Sequence, residues 1–97
     1  MRVISKRRLR EFWEIFPESK TPLENWYRTA KKADWENIVA VRKSYSHADI
    51  YKDCVIFNIG GNKFRLIVKF RFPKNKVFVR FALTHIEYDK DYWKSDC

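Results

Sequence analysis

The run Lys63-Phe64-Arg65-Leu66-Ile67-Val68-Lys69-Phe70-Arg71-Phe72 decides the fold. Phe64, Leu66, Val68, Phe70 and Phe72 fall on one side, and Arg65, Ile67, Lys69 and Arg71 on the other. A period of two held for ten residues marks a half-buried β-strand. Such a strand buries an aromatic-rich face and carries a ladder of positive charge on its other face. Like charges at alternate positions repel, so the ladder costs stability unless an anion neutralises it. The anion expected is a nucleic-acid backbone.

On either side of this strand the chain reads as more sheet. Cys54–Ile59 predicts a strand, Gly60-Gly61-Asn62 a tight turn whose central residues need positive φ, and Lys63–Phe72 its hairpin partner. Pro73-Lys74-Asn75-Lys76 predicts a second turn and Val77–Thr84 a third strand. In that strand Val77, Val79, Phe81 and Leu83 take one face, and Phe78, Arg80, Ala82 and Thr84 the other. His85–Trp93 reads as a helical turn or two.

The N-terminal half reads as helices. Arg2-Val3-Ile4 suits an edge strand. Ser5 is a natural N-cap before Leu9, Phe12, Trp13 and Phe16, whose spacing makes one amphipathic helix ending near Pro17. Thr21-Pro22-Leu23-Glu24 has the form of a capping box, followed by a stripe of Leu23, Trp26, Tyr27 and Ala30. Asp34 reads equally as the cap of a shorter turn carrying Trp35, Ile38 and Val39 or as part of the second helix continued after a kink, with a loop from Ser44 to Asp53. The fold class expected is α+β, one domain over residues 1–97, with two N-terminal helices on an antiparallel sheet. The helices cover one sheet face, which leaves open the face bearing Arg65, Lys69, Arg71 and Arg80.

The charge distribution agrees. The 97 residues carry a net charge of +9, and residues 54–86 hold seven cations and no carboxylate. A phosphate-rich partner is expected. Two separated cysteines are too few for a disulfide scaffold, and Cys54 reads as a small core residue. Two histidines and two separated cysteines do not suit zinc, so neither metal nor cofactor is expected. No run is long enough to span a membrane and the basic N-terminus lacks an apolar signal core, so a cytoplasmic location is expected.

Arginines, a lysine, a histidine and a tyrosine on one face suit phosphodiester cleavage. Arginine neutralises the phosphate, while lysine or histidine moves protons to and from the attacking and leaving oxygens. RNA brings its own nucleophile, the 2′-hydroxyl. The competing reading makes Arg65 and Arg80 ordinary strand residues paired with acids of the C-terminal tail. His47, near Asp49, reads as part of a solvated loop, and Trp13, Trp26 and Trp35 as core.

The blocks Asn58-Ile59-Gly60-Gly61-Asn62-Lys63-Phe64-Arg65, Val79-Arg80 and Thr84-His85-Ile86-Glu87-Tyr88-Asp89 resemble the HigB family of type II toxin–antitoxin toxins. The resemblance implies a RelE-like fold and ribosome-dependent cleavage of messenger RNA. It also implies restraint by a helix-turn-helix antitoxin similar to HigA. The matching motif positions are Asn62, Arg65, Arg80, Thr84, His85, Glu87, Tyr88 and Asp89; Lys69 and Arg71 come from the strand-face argument. The combined expectation is a metal-independent attack of the 2′-hydroxyl on the adjacent phosphate. Arg65 and Arg80 stabilise charge, His85 transfers protons with Lys69 as its rival, and Tyr88 orients or stacks on a base. Asn62, Lys63 and Arg71 hold the RNA. The alternatives are an RNA- or ribosome-binding module that does not cut, and an interaction protein that meets an acidic partner.

Overall fold

The computed structural model describes residues 1–97. Its elements are β1 (Arg2–Ile4), α1 (Lys6–Ile15), α2 (Lys20–Lys32), α3 (Ile38–Ser44), β2 (Asp49–Tyr51), β3 (Cys54–Ile59), β4 (Phe64–Arg71), β5 (Lys76–Thr84) and α4 (His85–Asp89). Short 3₁₀ segments lie at Pro17–Ser19, Phe72–Lys74 and Tyr92–Asp96. The sheet order is β1-β5-β4-β3-β2. β3, β4 and β5 pair antiparallel, as expected, and β2 joins β3 antiparallel, but β1 runs parallel to β5, so the sheet is mixed. No helix is long and apolar enough to cross a membrane.

The predicted strand alternation sets the core. Phe64, Leu66, Val68 and Phe70 of β4 pack with Leu9 and Trp13 of α1 and with Leu23, Trp26 and Ala30 of α2. The Trp26 ring meets Phe57 edge-on at 5.5 Å, and Trp35 meets Phe70 at 5.9 Å. All three helix-stripe tryptophans are therefore core. Truncating Trp26 to alanine would cost about 3–5 kcal/mol. Gly60 and Gly61 both have positive φ, 62° and 68°, as the hairpin between β3 and β4 requires.

Several local expectations are corrected. Helix α2 begins at Lys20, directly after the 3₁₀ turn, so Thr21 is not its cap and Pro22 sits inside the first turn, where no N–H is missed. Helix α3 is capped by Asn37, which accepts from the Ala40 amide at 2.9 Å, and not by Asp34. The segment expected as a loop contains β2, which pairs with β3 through Asp49↔Ile56 and Tyr51↔Cys54.

The alternation of β5 also breaks. Ile67 pairs with Phe81 but Val68 with Val79, so Arg80 is an extra residue, a β-bulge. Val77 and Val79 face the helices, whereas Phe81 and Leu83 face the opposite side. The expectation that Phe81 shares the face of Val79 is therefore wrong.

The largest correction concerns the face left open by α1 and α2. The C-terminal tail covers much of it. Trp93 packs on Cys54, Ile56, Ile67 and Leu83 in a second core, and the sulfurs of Cys54 and Cys97 are joined in a disulfide. Cys54 is buried, as expected, but it is also a staple. Tyr92 donates a hydrogen bond to Glu87, which ties this tail segment to α4.

Candidate active site

Arg65 projects from β4 on the side away from α1 and α2 and is only 8% exposed. Its Nη1 donates to the carbonyls of Asn62 and Phe64, both at 3.1 Å. None of the ion pairs of the fold includes it. A buried guanidinium without a carboxylate is costly, by several kcal/mol, so its retention points to an anion that arrives from outside.

His85 begins α4, just past the end of β5, with Thr84 capping the turn through the Glu87 amide at 3.2 Å. The imidazole Nδ1 lies 3.0 Å from the Asn62 carbonyl and 3.4 Å from Arg65 Nη2. The carbonyl only accepts and the guanidinium only donates, so the tautomer decides which of the two Nδ1 serves. Nε2 faces the Asp89 carboxylate at 3.2 Å. With Nδ1 engaged by Asn62 and Arg65, Nε2 is the nitrogen left to give and take a proton.

Tyr88, one helical turn on, stacks on Trp93 with ring centroids 5.2 Å apart and planes 11° apart. The Arg65 guanidinium carbon lies over the same ring, 5.2 Å from its centroid. Trp93 and Arg65 thus both pack against the Tyr88 ring. Burial, the largest influence, raises the phenol pKa above its usual value. The hydroxyl stays protonated and can donate to a phosphate oxygen.

Lys69 and Arg80 form a separate group. Arg80, on the bulge, meets Asp96 through Nε at 2.7 Å and Nη2 at 2.9 Å, and Lys69 Nζ lies 3.8 Å from the same carboxylate. The bond from Arg80 holds the Asp96 carboxyl below the usual carboxylate range, with added attraction from Lys69 and Arg8. For Arg80 the tail-acid reading is the one the structure adopts. Asn62 serves through its main-chain carbonyl. Lys63 pairs with Glu18 at 3.0 Å, and exposed Arg71 donates to the Phe70 carbonyl at 3.3 Å, at the far end of β4. The eight expected site residues therefore divide. Asn62, Arg65, His85 and Tyr88 converge; Lys69 and Arg80 share Asp96; Lys63 and Arg71 stand apart.

The sequence profile of HigB toxins, described as the RelE-like toxic component of a toxin–antitoxin system, matches residues 19–91. The chain belongs to this family. It is 29% identical over 93 residues to the mRNA interferase HigB of Escherichia coli O6:H1, covering 93% of this chain and 90% of that protein. It is 28% identical over 92 residues to the mRNA interferase toxin HigB of Escherichia coli K12, covering 92% and 88%. For a HigB-family toxin, the convergent group of Arg65, His85 and Tyr88 is the natural place to look for its activity.

Arg65 and Tyr88 of this group open into a cleft of about 580 Å³ that the sequence did not foretell. Arg65 and Tyr88 line it together with Asn58, Asp49 and His47, so His47 borders the site even though its segment reads as solvated loop. One signal was available: the hairpin register places Asn58 directly across from Arg65.

Proposed function

We propose that this toxin is a messenger-RNA endoribonuclease that acts on message held by the ribosome. The observation that carries the reading is the convergence of a buried, carboxylate-free Arg65 with His85 at 3.4 Å and with the ring of Tyr88. The relatives' printed name, mRNA interferase, supplies the substrate class. In the reaction, the 2′-oxygen attacks the adjacent phosphorus, the bond to the 5′-oxygen breaks, and a cyclic phosphate and a free 5′-hydroxyl result. Arg65 and the Tyr88 hydroxyl stabilise the charge on the phosphorane oxygens, and His85 Nε2 exchanges the protons. Lys69, the rival proton carrier, stands with Asp96 in the other group and serves with Arg80 as a second phosphate contact once that carboxylate is displaced. Asn62 positions His85 and Arg65 through its carbonyl, while Lys63 and Arg71 extend the path of the backbone.

The reaction needs no metal, because the RNA supplies its own nucleophile in the 2′-hydroxyl and Arg65 carries the charge on the phosphate. Its partner is a HigA-like helix-turn-helix antitoxin, and its place of action is the cytoplasm, where ribosomes and message are. Expression in cells, followed by mapping of message 5′ ends, tests the function. New ends within coding regions are expected from the parent protein and not from Arg65→Ala. RNA binding without new ends would replace this reading with the non-cutting one.

A further inference from the structure

The cleft beside Arg65 has two sides of different origin. The C-terminal cap supplies Tyr88, and the first residue of β2 supplies Asp49. Ile56, Asn58 and Arg65 come from the sheet, and Arg42 from α3. Ile56 offers an apolar surface, and the two arginines offer positive charge.

Asp49 is the one carboxylate among the lining residues. No ion pair of the fold includes it. Its Oδ1 accepts the Ile50 amide at 2.9 Å, and Oδ2 has no protein partner. A free carboxylate repels phosphate, so it weakens binding of RNA unless it meets another part of the nucleotide.

The register indicates which part. Asp49 lies on β2, beside β3, and Arg65 lies on β4 on the other side of β3. Two strand spacings across the sheet and two residues along it, roughly 12 Å in all, separate them. A phosphate held by Arg65 therefore brings a nucleobase, rather than the next phosphate oxygen, towards Asp49.

We propose that this cleft is a base-reading subsite in which Asp49 favours a nucleobase carrying an amino group and disfavours uracil. The inference rests on the RNA-cutting reading of the adjoining site. A carboxylate only accepts hydrogen bonds. Cytosine, adenine and guanine each present an exocyclic amino donor, whereas uracil presents a single ring N–H between two carbonyl oxygens that the carboxylate repels. Asn58, directly across from Arg65, carries both a donor and an acceptor and tolerates either kind of edge.

Cytosine and uracil have nearly the same shape and differ at this edge, which makes them the decisive pair. The test measures binding of length-matched 2′-O-methyl oligocytidine and oligouridine, which cannot be cut, at low salt. The wild-type protein should bind the cytidine oligomer roughly tenfold more tightly, the lower part of what one well-placed polar contact gives. Asp49→Asn, whose amide can donate as well as accept, should bring the ratio close to one. Asp49 is exposed, so this variant should keep the fold, which circular dichroism checks. Equal wild-type affinities, an unchanged ratio in Asp49→Asn, or no binding of either oligomer overturns the proposal. A wild-type preference abolished by Asp49→Asn, without any cutting of unmodified message in cells, supports the subsite and overturns the endoribonuclease reading instead.

Discussion

Arg80 and Asp96 form a two-bond fork, with Nε 2.7 Å from Oδ2 and Nη2 2.9 Å from Oδ1. The carboxylate supplies the tail's own anion to the cation ladder of the sheet, in the position that RNA phosphate was expected to take. Lys69 joins the same carboxylate from β4. The repulsion inherent in the ladder is thus relieved within the chain, and RNA must compete with Asp96 to reach either cation.

Removing that competitor is the first prediction. Asp96→Asn should tighten binding of single-stranded RNA and steepen its salt dependence. Each phosphate newly held by Lys69 or Arg80 should add roughly 0.7 to the slope of log affinity against log salt. An unchanged slope would show that neither cation reaches the RNA. The same pair has a pH signature. Because the bond from Arg80 lowers the Asp96 pKa in the folded state, its stabilisation is present above the unfolded carboxylate pKa and is lost as pH falls through the folded one. Acid unfolding of Asp96→Asn should lack that component.

The disulfide gives the second prediction. Cys54 and Cys97 are 43 residues apart in sequence, and their bond closes the loop that carries Arg65, His85 and Tyr88. Cys97→Ser should lower stability by roughly 2–4 kcal/mol, as is typical of loop-closing disulfides. A reducing agent should bring the wild-type melting temperature down to that of the variant and leave the variant unchanged. Equal wild-type melting temperatures with and without reductant would remove the bond from the account.

These two contacts also explain what the sequence did and did not reveal. The hairpin, the core-facing residues of β4 and the helix stripes were legible because each depends on a short periodic pattern, as in Phe64-Leu66-Val68. The C-terminal cap was not, because Trp93 and Asp96 lie in a short 3₁₀ segment without periodicity, Cys97 follows it, and all three meet the sheet only through tertiary contact. The bulge at Arg80 was hidden for a different reason: an unbroken alternation of apolar residues runs through it, and only the pairing with β4 shows the extra residue. Of the site, Arg65, His85 and Tyr88 were legible by residue type and spacing. Asp49 was not, because β2 is three residues long and carries too little pattern to read.

Tyr88 supports a third prediction. Tyr88→Phe keeps the ring that stacks on Trp93 and lies beneath Arg65, and removes only the hydroxyl. The melting temperature should hold while cleavage slows by about tenfold or more, in keeping with loss of one donor to the transition state. Burial raises the phenol pKa, so the donor should persist as pH rises past the usual tyrosine range, and wild-type activity should show no loss there attributable to Tyr88. If Tyr88→Phe cuts at full rate, the residue serves packing alone.

The last prediction separates charge stabilisation from proton transfer. Arg65→Ala should abolish growth inhibition, with a rate loss on the order of 100-fold or more. Because Arg65 also ties the Asn62 and Phe64 carbonyls, Arg65→Lys serves as a partner variant that keeps the charge without the planar fork. His85→Gln should retain RNA affinity and lose cleavage rate, since the Arg65 charge remains while Nε2, the proton carrier held by Asp89, is gone. Lys69→Ala should weaken binding and flatten its salt dependence without matching that loss of rate, because Lys69 sits with Asp96, outside the group of Arg65, His85 and Tyr88. EDTA should leave the parent enzyme unaffected. A His85→Gln enzyme that cuts at full rate would transfer proton transfer to Lys69, and loss of activity in EDTA would end the metal-free account altogether.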